Sequence, residues 1–211
     1  MSLKTRMYIR RAERDDLDTV VEWMDAPDFR RFLYGDPARS PRRIREQIVA
    51  MLGRTAGHTL PNAIYLVIES PGHGPIGLLS LQNISWRNRS CSIDLYIGEP
   101  KLRGGMAAAV AYCQAIAYCF DELNLHRISA FIYSFNTASW CILERAGAVR
   151  ELTLREHITR DGKLYDMYCY GMLRAEYEAL RDEIDARFSD ASLAAMIAGR
   201  KQAEASTEAP P

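Results

Sequence analysis

Along this chain, segments whose apolar residues recur every three or four positions trade places with short, nearly unbroken apolar runs, a contrast that predicts helices and strands in turn. Met7-Tyr-Ile-Arg10 is a short strand, and Glu13 to Asp16 supplies caps for a helix with Leu17, Val20, Val21 and Met24 on one face, ending near Ala26-Pro27. Phe29, Phe32 and Leu33 keep the helical spacing until Gly35-Asp-Pro37, and Ser40-Pro41 opens another helix with Ile44, Ile48, Met51 and Leu52 facing inward. Ala63–Glu69 and Pro75–Gln82 are apolar strands joined as a hairpin, and a third strand spans Ser90–Gly98. The helix after Arg103 buries Val110, Cys113, Ile116, Ala117, Phe120 and Leu123, and the strand His126–Tyr133 that follows it is parallel to the strand before it. Asn136 to Ser139 opens a helix over Trp140–Ala146 that Gly147 terminates. Arg150–Ile158 and Leu164–Leu173 form a last hairpin across Asp161-Gly162.

Composition narrows the class. With 211 residues, 48% of them hydrophobic, the chain can bury a sizeable core in one domain with some length left over. The 27 basic and 27 acidic residues cancel, so no global field calls for nucleic acid or a membrane surface as partner. No apolar run approaches the roughly 20 residues of a membrane span or the length of a signal peptide, so a cytoplasmic location is expected. Cys91, Cys113, Cys119, Cys141 and Cys169 lie in apolar periodic segments without C-x-x-C spacing and read as core residues in a reducing compartment. His58 and His73 sit on loops without ligand partners at metal spacing, so no metal is expected.

The candidate chemistry centres on the stretch from Ile93 to Tyr112, a strand running into a basic glycine turn and then into an alanine-rich helix. The first turn of a helix leaves backbone N–H groups unpaired at the positive end of its dipole, which suits phosphate. Gly104 and Gly105 let backbone approach such a ligand, and Arg103 adds charge beside it. Neither the triphosphate loop with its Gly-Lys-Ser/Thr nor the dinucleotide G-x-G-x-x-G pattern is present, which disfavours those ligands.

The same stretch resembles motif A of the GNAT N-acyltransferase superfamily, Arg/Gln-x-x-Gly-x-Gly/Ala, with Arg103 first and Ala108 last; Met106 stands where the central glycine falls. Asn136, Ser139, Glu144 and Gly147 resemble a segment of the RimJ/RimL-like, ribosomal-protein acetyltransferase branch, and Arg155 to Ile158 with Asp161-Gly-Lys163 again look like it. The resemblance implies an α+β GNAT fold: a central, mostly antiparallel twisted sheet with one splayed parallel strand pair, flanked by helices. It covers residues 1–174 as an acyltransferase domain, leaving 175–199 as a C-terminal amphipathic helix extension and 200–211 as a disordered tail.

What the resemblance implies for function is transfer of an acetyl group from acetyl-CoA to a primary amine, with a protein N-terminus or an amino sugar foremost among acceptors. Pyrophosphate would lie on Arg103, Gly104, Gly105, Met106, Ala107 and Ala108, pantetheine on Asn136 and Ser139, and the oxyanion on backbone N–H groups near Leu95, Tyr96 and Ile97. Glu156 is the favoured base, with His157 its neighbour as an alternative; Asp94 or Tyr96 could equally order a water relay, and Ser139 is the candidate acid in place of a tyrosine that Leu143 replaces. Two further readings stay open: a CoA-binding regulatory module with weak catalysis, and a homodimer formed through the C-terminal helix.

Overall fold

The computed structural model describes residues 7–33, 40–54, 60–70, 72–103 and 106–187. Seven strands form one sheet: β1 (Tyr8–Arg11), β2 (Ile64–Ser70), β3 (Gly74–Ser85), β4 (Ser90–Ile97), β5 (Arg127–Tyr133), β6 (Val149–Arg160) and β7 (Lys163–Leu173), in the order β1-β2-β3-β4-β5-β7-β6. All pairings are antiparallel except β4 with β5, which the intervening helix α4 (Met106–Ala117) makes parallel. This is the mixed α+β architecture expected from the alternation of strands and helices, although β3 and β6 run past the predicted ends. Asp161 and Gly162 both take positive φ, 52° and 72°, as a two-residue turn of this hand requires.

Strand alternation sends each residue set to its own layer. Helices α1 (Leu17–Asp25), α2 (Pro27–Phe32) and α3 (Pro41–Arg54) cover one face, packing Val20, Phe29, Ile44 and Ile48 over Val67, Leu78 and Tyr96. Against the other face, α4 and α5 (Thr137–Arg145) pack over Leu66, Leu79, Ile93 and Met172. After α4 the chain continues as a π-helical turn, Tyr118–Glu122, that keeps Cys119 and Phe120 wholly buried. The last helix, α6 (Arg174–Arg187), stacks Tyr177 on Phe120 with ring centroids 5.0 Å apart, and Arg174 Nε donates to Leu125 O at 3.0 Å. Tyr177 and Ile184 of α6 belong to the hydrophobic core and Leu180 packs against it; residues 188–211 lie outside the described residues. Among the cysteines, Cys141 is half-buried on α5 and the other four are buried, all as free thiols.

One polar network ties β1 to α1. Asp16, 6% exposed, accepts from both terminal nitrogens of Arg10 and from the Glu13 amide at 2.7–2.8 Å. The Arg10 guanidinium holds its carboxyl below the usual carboxylate range. A depressed folded value contributes stability above the unfolded value and loses it as pH falls through the folded one. Asp16→Asn is thus expected to cost about 1.5 kcal/mol at neutral pH. Urea midpoints measured from pH 6 down to pH 2 should fall more steeply for the wild type than for the variant; parallel curves would reject this account.

Candidate functional site

The site begins with an interrupted ladder. β4 pairs with β5 only from Ser90↔Arg127 to Ser92↔Ser129, after which the strands diverge. Arg127 N–H donates to Arg89 O at 3.1 Å, so the alternation of β4 turns the backbone groups of its odd-numbered residues toward β5. Past the last pair, the N–H groups of Leu95 and Ile97 therefore face the gap between the strands. Aligned amides held at a gap that closes to water are what a developing oxyanion needs.

Two cavities meet at this gap. A cleft of about 260 Å³ runs between the diverging strands and is walled by Leu95, Ile97, Ala108, Tyr112, Asn136 and Ser139. A second cavity, of about 290 Å³, lies on the other sheet face, with Ser80, Gln82 and Tyr65 on its floor and Met24, Ile44 and Gln47 among its roof. Leu33, Asp94 and Tyr96 belong to both. The geometry arises because residues 94 and 96 point to the α1–α3 face while 93, 95 and 97 point to the α4 face. Only at a break between strands can one side chain serve both sides.

Electrostatics at the junction are set by three groups. Burial pushes the Tyr96 phenol up, the Arg103 guanidinium opposes this and Asp28 reinforces it. Tyr96 accepts from Arg103 Nη2 at 2.7 Å and meets the Phe29 ring edge-on at 5.0 Å. Across the gap, burial raises the Tyr133 phenol most, Arg160 lowers it, and the Asp94 carboxylate raises it.

Several sequence-predicted residues converge here. Leu95, Tyr96, Ile97, Ala108, Asn136 and Ser139 all line the cleft. Asn136 is the N-cap residue of α5 but makes no side-chain capping hydrogen bond. Ala107 is buried, and Met106 packs against the hydrophobic core instead of narrowing the cleft. Gly104 and Gly105 lie outside the described residues.

Two predicted residues have other neighbours. Arg103 Nε donates to Ile97 O at 2.9 Å, Nη2 to Gly98 O at 3.1 Å and to Tyr96, and Nη1 to Asp28. The reason is the gap itself, since carbonyls that lose a strand partner become the nearest acceptors. Arg103 thus clasps the end of β4 to α2. Glu156 is exposed and lines neither cavity. It lies in a bulge between Leu154 and Ile158 with φ of 50°, its amide donating to Asp166 Oδ1 at 2.8 Å. Being on edge strand β6, with β7 between it and β5, it is two strands from the gap. His157, also exposed, shares the bulge. Glu144 accepts from Tyr170 at 2.8 Å and joins α5 to β7.

Other site residues escaped the sequence reading. Tyr112 could have been found by its i, i+4 spacing from Ala108 on α4, which puts both on one face. Ser80 and Gln82 carried a signal too, as polar residues alternating within an otherwise apolar strand. Among the described residues, no cluster of three or more His, Cys, Asp or Glu side chains could hold a metal ion, and no helix is long and apolar enough to cross a membrane.

Known proteins are similar to this chain. The profile of the acetyltransferase (GNAT) domain matches residues 6–149. The uncharacterized N-acetyltransferase p20 of Bacillus licheniformis is 25% identical over 172 residues, covering 82% of this chain and 95% of its own length. The spermidine N(1)-acetyltransferase of Vibrio cholerae is 23% identical over 175 residues, covering 83% of this chain and 97% of its own. A crystal structure of spermidine N-acetyltransferase from Vibrio cholerae, in complex with CoA and spermine, has the same fold: TM-score 0.73 at 23% identity, over 82% of this chain and 99% of that one.

Proposed function

The chain belongs to the GNAT acetyltransferase family, and from that premise we propose that it transfers an acetyl group from acetyl-CoA to a primary amine by direct attack within a ternary complex. One observation carries this reading: two cavities on opposite sheet faces join at Asp94 and Tyr96, where β4 and β5 part. A thioester threaded between the strands would meet an amine from the other side at that point and nowhere else along β4.

Acetyl-CoA supplies the activated acyl group, and the chain's own residues do the rest. The amides of Leu95 and Ile97 stabilise the oxyanion, and Asn136 holds the pantetheine arm. Amides from Gly104 to Ala108 take the pyrophosphate, those of Met106 to Ala108 from the first turn of α4, while Arg103 holds the end of β4 in place. Asp94 receives the ammonium proton, since it lines both cavities whereas the exposed Glu156 lines neither. Ser139, in the first turn of α5, steadies the departing thiolate with its hydroxyl and the positive end of the helix dipole. The acceptor comes from the two classes favoured by the branch resemblance of Asn136, Glu144 and Gly147, protein N-termini and amino sugars.

Calorimetric titration of the purified protein with acetyl-CoA tests the first half of this reading. Micromolar binding is expected, and Ala138→Trp, which fills the cleft from the outer wall of α5, should abolish it without loss of fold by circular dichroism. No heat of binding from the folded wild type would reject the reading.

A further inference from the structure

On the transfer reading given above, the second cavity receives the acceptor, and we propose that this acceptor is an amino sugar: one primary amine carried on a hydroxyl-rich ring. The floor of the cavity makes the case. Ser80 is only 6% exposed, yet its hydroxyl opens on the cavity and makes no hydrogen bond with any described residue. Its strand neighbours Leu79 and Leu81 are wholly buried on the opposite face, so this hydroxyl is a polar group held in an apolar layer. Open to the cavity and without a side-chain partner among the described residues, this hydroxyl is free to donate to and accept from a ligand that enters there. Two residues on, Gln82 gives its amide nitrogen to Tyr65 Oη at 3.0 Å, which turns its carbonyl oxygen outward as an acceptor.

Ser80 stands directly across the β3–β4 ladder from Asp94, and Gln82 across from Ser92, further from the gap. A carboxylate, beside it a hydroxyl that both donates and accepts, and then an amide oxygen match an ammonium followed by successive ring hydroxyls. Opposite them, Met24, Leu33 and Ile44 form the apolar surface that the C–H face of a sugar ring covers. At the rim stands Arg30, paired with Asp25. A polyamine would have to leave its second ammonium among those apolar side chains and beside a guanidinium. A peptide would present its backbone to a sheet face, whose N–H and C=O groups are already paired within the ladder. A phosphate on the sugar, by contrast, would gain from the charge on Arg30.

The test uses the full chain with acetyl-CoA and follows release of the CoA thiol with four amines: glucosamine, glucosamine 6-phosphate, spermidine and an alanine-initiated tetrapeptide. One of the two sugars is expected to exceed spermidine and the peptide in kcat/KM by at least about tenfold, equivalent to about 1.4 kcal/mol. The comparison between the two sugars separates a free from a phosphorylated source. Ser80→Ala and Gln82→Leu should each raise KM for the preferred sugar by about tenfold and leave the dissociation constant of acetyl-CoA unchanged. A preference for spermidine or the peptide, silence of both variants, or acetyl-CoA binding with no sugar acetylated would overturn the assignment and leave the transfer reading standing. Failure of the wild type to bind acetyl-CoA would remove that reading and this one together.

Discussion

Asp94→Asn is expected to lower kcat/KM for the preferred amine by about a hundredfold or more while acetyl-CoA binds as tightly as before. The amine arrives as an ammonium, and nothing attacks the thioester until a proton leaves it. Asp94 is the carboxylate shared by both cavities, close enough to Tyr133 across the gap to push its phenol up. Asparagine preserves the shape and hydrogen bonding of the site but cannot take the proton. Glu156→Gln is the informative companion. Because Glu156 is exposed on the edge strand, its loss should leave the rate unchanged. Steady-state kinetics on both variants decides the matter: an active Asp94→Asn enzyme, or an inactive Glu156→Gln one, would move the base from the gap to the hairpin.

Gly77→Ala should damage stability and site together. A Cβ at Gly77 would lie 2.4 Å from Tyr96 O and 3.2 Å from Ile97 Cα, and it is backbone, not a flexible side chain, that would have to give way. Gly77 pairs with Ile97 at the far end of β4, beyond its last pair with β5 at Ser92, so the strain falls on residues that line the gap. Overpacking of this kind costs about 2 kcal/mol, which lowers Tm by about 4–8 °C in a domain of this size. Acetyl-CoA binding should weaken at temperatures where the variant is still fully folded. A variant with unchanged Tm and affinity would mean that β3 and β4 separate there without penalty, and that the gap is not held in a fixed shape.

How legible the site was in the sequence depended on the range of the interactions involved. Asn136 and Ser139 could be placed on the cleft because their spacing belongs to one helix start. The Leu95 and Ile97 amides could be placed because a strand, a crossover helix and a second strand dictate a parallel pair. Arg103 was read as a ligand of phosphate because its neighbours in sequence are glycines. Its actual acceptors, Asp28 on α2 and the carbonyls of Ile97 and Gly98, come from a helix 75 residues earlier and from a ladder that stops short. Glu156 was placed at the chemistry by resemblance along the chain, whereas the sheet order puts β7 between its strand and the gap.

By itself, then, the sequence determined the elements, their order, the α+β class and the presence of one parallel pair, because periodicity, caps and turn residues act over a few positions. The tertiary structure decided where the parallel ladder ends and which side chains line both cavities at the opening. Those outcomes depend on contacts between Asp28, Gly77, Asp94, Arg103 and Tyr133, residues that are distant in sequence and meet only when the whole sheet and its covering helices close around the gap.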